Sequence, residues 1–460
     1  FWLTGGQPGL NQRLFRPSLE KIEAFKSIAG IDAAGAWQHI TPDDHGDWLA
    51  QRDQGFVEFL PMGSKARDSS VAIFDGYSSG VKTNRDSWVY NSSRKAVLAS
   101  METMISFYNQ ALAGQADEDI NDTSRIGWSW VLRGRFEKGL KGSFSSDKAV
   151  VATYRPFDKR WMYYDGFFNE NRYQMPKLFP EGNEDNLVVV VKQRWSGEGQ
   201  IALIVGGVID VQSDGGTQCF PLYLYDAVAQ ASKGDLFAEP AENGFRRRDA
   251  ITDSGLAHFQ TAYPGEQISK EDLFYYVYGI LHSQDYRERF ADNLSKELPR
   301  IPAVKKGTDF WAFSKAGRAL AELHLNYETV EPYPLTIEAK GKLTDADYRV
   351  EKMKFAKKKD PETGKSVNDR STVIYNGKIT LKDIPEAAWG YVVNGKAALD
   401  WVMERQAVRT DKASGIVNDA NDWAIETMGN PKYPLELFQR VVTVSLETQK
   451  IVNNLPALDI

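Results

Sequence analysis

Residues 152–165 combine cationic and aromatic side chains in one short predicted strand and turn. Their sequence, ATYRPFDKRWMYYD, holds three cations and five aromatic rings around one proline. Cations attract the phosphates of nucleic acids, and aromatic rings can stack on bases. A half-buried strand with its rings in the core and its Arg and Lys side chains reaching solvent would use the same residues. Taken alone, the segment is compatible with both interpretations.

Basic and polar residues are concentrated in four predicted loops at strand ends. Arg, Lys, Asn and Gln side chains can pair with phosphates or donate hydrogen bonds to base edges. Cations occur on any protein surface, but four such loops on one predicted sheet domain indicate a DNA-binding surface. The candidate DNA-binding residues are Lys82, Thr83, Asn84 and Arg85 in the first loop, Arg155, Lys159 and Arg160 in the second, Arg172, Tyr173 and Gln174 in the third, and Lys192, Arg194 and Trp195 in the fourth.

The overall charge requires that such a surface be local. The chain has 56 Lys and Arg residues against 62 Asp and Glu residues, which gives a formal net charge of -6. A nucleic acid would therefore be attracted by a patch and not by the field of the whole protein. A second basic patch is conceivable at Lys352, Lys354, Lys357, Lys358 and Lys359, although a solvated hairpin would look the same.

The sequence offers no convincing catalytic or cofactor motif. Gly364-Lys365-Ser366 resembles the end of a phosphate-binding loop, but Lys359 stands where that loop has its first glycine. His45 with its neighbouring aspartates could hold a metal, yet such Asp-rich segments are more typical of turns. We therefore predict no catalytic residue, no metal ligand and no cofactor in this chain.

Cysteine content and hydropathy indicate a reducing compartment. Cys219 is the single cysteine, so the sequence supplies neither an internal disulfide nor a cysteine-based zinc site. No segment reaches the roughly 20 apolar residues needed to span a bilayer, and the first residues lack a signal-peptide pattern. We predict a cytoplasmic protein without a membrane partner. Because the chain opens at Phe1, we expect it to be part of a longer polypeptide.

The periodicity of apolar residues predicts an α+β fold. Its parts are a mixed or antiparallel β-rich recognition core, a helical cluster and a C-terminal hairpin-plus-helix segment. Residues 232–249 are predicted to be a flexible connector. Helices are predicted at 17–29, 93–113, 270–282, 285–297, 309–325, 397–405 and 435–453, and strands at 71–74, 150–154, 161–164, 187–191, 201–205, 219–225, 348–355 and 372–379. The predicted divisions are a connecting segment at 1–68, the recognition core at 69–228, a helical subdomain at 229–330 and the C-terminal segment at 331–460.

Several motifs in fixed order resemble one protein family. They are GVKTNRDSWVYN at 80–91, YRPFDKRW at 154–161, YQMP at 173–176, QCFPLY at 218–223, FYYVYGILHS at 274–283 and NDW at 421–423. The chain is similar in these motifs to the C-terminal specificity region of Type ISP restriction-modification enzymes. The resemblance extends from about residue 37 to the end. Residues 1–36 match least well and could be the tail of a methyltransferase.

The resemblance implies a function for the chain within a larger enzyme. In that family one polypeptide carries a nuclease, a helicase-like translocase, an adenine-N6 methyltransferase and then the specificity region. It implies that S-adenosylmethionine, ATP and Mg²⁺ are used by the upstream domains, and that the partners of this chain are those domains and double-stranded DNA. In this interpretation Arg172, Gln174, Arg194 and Asn84 read base edges, and Tyr173 or Trp195 wedges or stacks where the methyltransferase flips its adenine.

Two other classes of function are compatible with the composition. A non-catalytic protein- or carbohydrate-binding module would also be rich in aromatic residues and acidic overall. An enzyme with its site in the Asp43 to Asp47 loop would require a bound metal.

Overall fold

A computed structural model describes residues 12–13, 38–39, 41–64, 71–116, 119–213, 215–228 and 244–460. The chain divides into two compact units, Phe1–Val57 and Glu58–Ile460. In the first unit, the two-residue strands β1 (Gln12–Arg13) and β2 (Gln38–His39) pair in antiparallel register. The helix predicted at 17–29 lies outside the described residues. The finer division into four segments stays a prediction.

The second unit is α+β and is built from small sheets and short to medium helices, as predicted. Its strands are β3 (Leu60–Pro61), β4 (Ser78–Ser79), β5 (Tyr90–Asn91), β6 (Ala149–Arg155), β7 (Asp158–Tyr163), β8 (Val188–Lys192), β9 (Ala202–Val205), β10 (Val208–Ile209), β11 (Thr217–Pro221), β12 (Tyr223–Ala227), β13 (Phe245–Asp249), β14 (Arg300–Ile301), β15 (Thr336–Ala339), β16 (Lys354–Lys359), β17 (Ser366–Ile374), β18 (Ile379–Lys382), β19 (Val392–Val393), β20 (Lys396–Ala397), β21 (Val408–Thr410) and β22 (Val417–Asp419). Its α-helices are α1 (Asp86–Val89), α2 (Arg94–Leu112), α3 (Trp130–Glu137), α4 (Met175–Leu178), α5 (Asp253–Ala262), α6 (Lys270–His282), α7 (Gln284–Arg289), α8 (Ala291–Leu294), α9 (Gly307–Leu325), α10 (Ala398–Arg405), α11 (Ala420–Asp422) and α12 (Tyr433–Asn453).

Two four-stranded sheets form the β-rich core, with strand orders β10-β6-β7-β5 and β4-β11-β8-β9. Strand β8 has the sequence VVVVK and buries all four valines, because β-branched side chains suit a strand that is covered on both faces. The strands predicted at 150–154, 161–164, 187–191 and 201–205 are confirmed. The strand predicted at 71–74 is reduced to one isolated bridge, between Phe74 and Ile251.

The segment predicted as one strand at 219–225 is two strands with different partners. Strand β11 pairs with β8, whereas β12 pairs with β13. Strand β13 occupies the end of the segment that we predicted to be a flexible connector, so that prediction is wrong for residues 245–249. The reason lies in the side chains across the pair, where Arg248 contacts Asp226 at 2.6 Å and the Arg247 guanidinium lies 4.4 Å from the Tyr223 ring centre.

The helical cluster is organised around α6 and α9. Helix α6 begins at Lys270, as predicted, after a capping box in which Ser269 and Asp272 bond to each other's backbone N–H. The two helices approach closely at Gly279 and Gly317, since a Cβ on Gly317 would collide with the Tyr275 carbonyl. The helix predicted at 285–297 is instead the pair α7 and α8, which are separated by Phe290.

The C-terminal part contains a third four-stranded sheet, ordered β15-β18-β17-β16. Strands β16 and β17 form the predicted hairpin, with a register irregularity between Phe355 and Ala356. Its second strand is Ser366–Ile374 and not 372–379, because residues 375–378 turn the chain into β18. The first strand of this hairpin starts at Lys354 and not at residue 348, because residues 345–348 form a 3₁₀ turn that is capped by Thr344. Helices α10 and α12 confirm the predictions at 397–405 and 435–453.

Candidate nucleic-acid interface

Strands β4 and β8 end at the same edge of their sheet. Both strands pair with β11 in antiparallel register, Ser79 opposite Gln218 and Lys192 opposite Thr217, so they run in the same direction. Neighbouring strands lie about 4.8 Å apart, which separates the ends of β4 and β8 by roughly 10 Å. The first and fourth predicted loops therefore leave the sheet side by side.

The third predicted loop is joined to the first by two backbone hydrogen bonds. The Lys82 N–H donates to the Asn171 carbonyl at 2.9 Å, and the Asn171 N–H donates back to the Lys82 carbonyl at 3.0 Å. Three of the four loops that the sequence singled out are thus brought together. We call the side chains of Lys82, Asn84, Arg172, Tyr173, Gln174, Lys192 and Arg194 the strand-end surface.

Side chains alternate between core and solvent along residues 81–85. Lys82 and Asn84 are exposed, whereas Thr83 and Arg85 are buried. Asn84 has a φ of 55°, a left-handed conformation that Asn adopts more readily than most residues. The alternation leaves Lys82 and Asn84 available to a ligand. Thr83 is not a candidate DNA contact, because it is buried and its hydroxyl donates to the Asp86 carboxylate.

Arg85 is a structural brace and not a surface contact. Its guanidinium donates through Nε to the Gly127 carbonyl at 2.8 Å, through Nη2 to Ser129 Oγ at 2.5 Å, and through Nη1 to the Phe168 carbonyl. Burial lowers the pKa of Arg85 to about 10, against the charge of Glu170, which raises it. The side chain that we predicted to contact DNA instead ties three chain segments together beneath the first loop.

Arg155 is likewise held inside the molecule. It pairs with Asp210 at 2.8 Å and lies 3.8 Å from the Asp86 carboxylate, with its guanidinium 3.9 Å from the Tyr154 ring centre. Burial and the charge of Asp86 raise the pKa of Asp210 to about 6, although the Arg155 ion pair acts in the opposite direction. Asp210 also forms an isolated β-bridge with Val81, which directly precedes the first loop. The ion pair of Arg155 with Asp210 therefore stabilises this loop.

The other cations of the second predicted loop are engaged elsewhere. Lys159 pairs with Glu328 at 2.6 Å, and Glu328 also accepts a hydrogen bond from the Tyr433 hydroxyl. Arg160 is only 7% exposed and pairs with Asp158 at 2.9 Å. For the residues 152–165 the half-buried strand is therefore the better interpretation, and Arg155, Lys159 and Arg160 do not join the strand-end surface.

The fourth loop is held in place by distant parts of the chain. Lys192 Nζ donates to Asn394 Oδ1 at 2.9 Å, and the backbone N–H of Trp195 donates to the Leu294 carbonyl at 2.9 Å. Trp195 is 6% exposed, so its ring lies in the core and is not placed to wedge into DNA. Arg194, between these anchors, is exposed to solvent.

Arg172, Tyr173 and Gln174 differ in how freely they face solvent. The Arg172 guanidinium lies 4.9 Å from the Tyr164 ring centre and is half-buried there. Tyr173 is 42% exposed and has a φ of 49°, which is unusual for an aromatic residue. Gln174 is exposed at the start of α4. Tyr173 and Gln174 are thus presented outward by a strained turn.

A family model and solved structures match the chain over most of its length. The model of the Type ISP C-terminal specificity domain matches residues 72–437. The chain belongs to this family of Type ISP specificity domains. A search of curated proteins gave no match.

Three solved structures are similar to this specificity domain. One is the ATP-dependent Type ISP restriction-modification enzyme LlaBIII bound to DNA, with 35% identity, a TM-score of 0.80 and 96% of this chain covered. The second is a nuclease-deletion mutant of the Type ISP enzyme LlaGI in complex with a DNA substrate mimic, with 34% identity, a TM-score of 0.74 and 92% covered. The third is a DrdV-DNA complex, with 31% identity, a TM-score of 0.72 and 92% covered. This chain spans 27%, 36% and 41% of the length of those chains, respectively.

Sequence reasoning missed the residues that hold the surface of this Type ISP specificity domain in shape. Asn171 joins two loops, Asp86 and Asp210 anchor the first loop, and Asn394 fixes Lys192. Asn394 has a φ of 52° and is followed by Gly395, an Asn-Gly pair between two short strands that is a sequence signal for a tight turn. Its contact with Lys192, 202 residues away, has no local signal.

The Asp43 to Asp47 segment of the first unit is a hydrogen-bonded turn. Asp43 Oδ1 accepts from the backbone N–H groups of His45 at 3.0 Å and Asp47 at 2.8 Å, and Arg52 pairs with Asp47 at 3.2 Å. These bonds lower the pKa of Asp43, against a contribution from burial that raises it. Within the described ranges, no group of three or more His, Cys, Asp or Glu side chains is arranged to hold a metal ion.

The described helices include none with the length and apolar character of a membrane span.

Proposed function

We propose that this chain selects the DNA sequence at which a longer Type ISP polypeptide acts. The observation that carries the proposal is the convergence of three basic and polar loops at one sheet edge, in a family whose solved relatives were determined with DNA. Lys82 and Lys192 would pair with phosphates and set the register of the duplex. Asn84, Gln174 and Arg194 would donate to base edges in the major groove.

The sequence suggested that Arg172 reads a base edge, but in this proposal Arg172 has a supporting role. Because its guanidinium rests on the Tyr164 ring, it supports the turn that presents Tyr173 and Gln174. Tyr173 would stack on a base or a sugar. The proposal extends to the domains that a longer polypeptide would carry, which would methylate adenine at N6 with S-adenosylmethionine and would translocate and cleave DNA with ATP and Mg²⁺.

The experiment is a selection from a randomised duplex pool, bound to the chain at low and moderate salt and then sequenced. We expect enrichment of one short motif. Asn84→Gly, which keeps the left-handed backbone accessible, and Arg194→Ala should each cost about 1 to 3 kcal/mol of discrimination at one base position. Lys82→Ala should weaken binding equally for all sequences.

The matched control is Lys315→Ala, which removes an exposed cation from the helical cluster. Its enriched motif and affinity should equal those of the unmodified chain. If Arg194→Ala lowers affinity uniformly, Arg194 contacts phosphate and not a base. Binding by the unmodified chain without any enriched motif would contradict the proposal that this chain alone selects the sequence.

Substitution of Tyr173 should change the free energy of unfolding and the DNA affinity in different directions. A non-glycine residue in the left-handed region carries strain of about 1 to 3 kcal/mol, and Asn tolerates this region better than Tyr. Tyr173→Asn should therefore keep or raise the free energy of unfolding, while DNA affinity falls about tenfold through loss of stacking. Urea unfolding and fluorescence anisotropy measure the two quantities. Tyr173→Phe retains the ring and should bind normally; equal binding by the Asn variant would exclude a stacking role.

A further inference from the structure

The hairpin of β16 and β17 has two faces of different charge. Paired residues of an antiparallel hairpin lie on the same face, and the pairs Lys357 with Asn368 and Lys359 with Ser366 therefore share one face. All four of these side chains are exposed. The opposite face carries Ala356, Val367 and Asp369, which are partly covered, together with Lys358.

The cations on the two faces have different partners. Lys358 on the covered face pairs with Asp369 at 3.4 Å. Lys357 donates to Asn368 Oδ1 at 2.6 Å, and among the described residues no carboxylate lies within ion-pair distance of Lys357 or Lys359. The carboxylate of Asp360 at the tip is occupied by the turn, where it accepts from the N–H and the hydroxyl of Thr363. We call Lys357, Lys359, Ser366 and Asn368 the lysine face.

A groove of about 760 Å³ lies at the base of this hairpin. Lys354 and Lys396 are among its lining residues. Lys396 is two positions from Asn394, which accepts the hydrogen bond from Lys192 of the strand-end surface. One residue of the groove, Lys396, is thus close in sequence to the residue that holds Lys192. Its charge is mixed, because Glu404 pairs with Lys396.

We infer that the lysine face binds the sugar-phosphate backbone of duplex DNA, independently of sequence. This inference rests on the proposed function. Two uncompensated cations two residues apart on a strand stand about 6.7 Å from each other and are flanked by hydroxyl and amide groups, which are the groups that contact phosphates. In a chain with a net charge of -6, an exposed face without carboxylates is a local anion-binding surface.

The test compares two variants of the 460-residue chain that lose the same charge. Lys357→Gln/Lys359→Gln removes the lysine face. Lys358→Gln/Lys382→Gln is the control, because Lys358 and Lys382 are already paired with Asp369 and Glu338. Dissociation constants are measured from 50 to 200 mM salt on the enriched duplex and on a scrambled duplex of the same length, and thermal unfolding confirms that both variants are folded.

We expect the lysine-face variant to bind both duplexes about tenfold or more weakly at low salt, with the preference for the enriched duplex unchanged. Each lost phosphate contact should reduce the slope of log K against log salt by about 0.9, which gives a change of roughly 2 for the pair. The control should keep the slope of the unmodified chain.

Two results would overturn the inference alone. One is an unchanged slope of log K against log salt in the lysine-face variant. This is the outcome expected if the lysine face binds an acidic protein surface and not DNA. The other is an equal loss in both variants, which would reflect net charge only. Absence of binding by the unmodified chain to either duplex would instead overturn the proposed function and this inference together.

Discussion

Arg85→Lys is expected to lower the free energy of unfolding by about 3 kcal/mol, although the substitution conserves charge. Arg85 is 5% exposed and donates to Gly127, Ser129 and Phe168 at the same time. A lysine ammonium has no planar fork to reach all three acceptors. At least one buried carbonyl would lose its donor, and the charge would remain buried with fewer bonds.

The effect should be measured by urea unfolding beside the control Arg133→Lys. Arg133 is exposed on α3, where its guanidinium lies over the Trp128 ring, and its replacement should cost less than about 0.5 kcal/mol. Because Arg85 braces the first loop, Arg85→Lys should also weaken DNA binding under conditions in which the variant is still folded. Equal stability of the two variants would contradict the bracing role.

A second large effect is expected on acidification, which should destabilise the helical cluster below about pH 6.5. His282 and His324 are buried between α6, α9 and α12. His324 lies between the Tyr278 hydroxyl at 2.6 Å and Thr448 Oγ1 at 2.8 Å. Nε2 of His282 is buried and has no hydrogen-bond partner among the residues that the structure describes. Burial lowers the pKa of His282 to about 4 and the pKa of His324 well below its usual value.

The sign follows from comparing the two states. The unfolded chain takes up protons below about pH 6.5, while the folded chain keeps both imidazoles neutral, so stability falls as the pH is lowered. The loss for His282 should be about 2 kcal/mol at pH 5 and should grow down to about pH 4. The raised pKa of Asp210 acts in the opposite direction between pH 6 and 4 and offsets part of the loss.

His282→Leu should isolate this contribution. Nδ1 of His282 lies 2.9 Å from the Tyr278 carbonyl, which also accepts the ordinary helical bond, so the substitution leaves no new unpaired group. We expect stability within about 1 kcal/mol of the unmodified chain at pH 7 and about 2 kcal/mol above it at pH 5. Urea unfolding from pH 5 to 7.5 measures both. The exposed His258, changed to Gln, is the control, and parallel pH profiles for all three proteins would refute the assignment.

The local sequence predicted elements whose signals lie within a few residues. Apolar periodicity predicted α2, α6, α9, α12 and β8, and the Ser269 and Asp272 capping box at the start of α6 and the four valines of β8 are local features of the same kind. The strand β13 was missed because its Arg-rich sequence is stable as a strand only beside β12. The helix predicted at 285–297 was too long because its break at Phe290 follows from packing: the Phe59 ring lies 5.3 Å from the Phe290 ring.

The sequence by itself determined the family, the α+β class and the polar character of the loops at the ends of β4 and β8. It could not distinguish Lys82, Asn84 and Arg194, which face solvent, from Arg85, Arg155 and Trp195, which are built into the interior. All six lie in predicted loops at strand ends, and the four cations among them do not differ in type in a way that separates surface from interior. Their roles depend on partners far along the chain, such as Phe168 for Arg85 and Leu294 for Trp195. Whether a cation is available to a ligand depends on which carboxylates and carbonyls the tertiary fold brings within hydrogen-bond distance of it. Local sequence does not determine those distances.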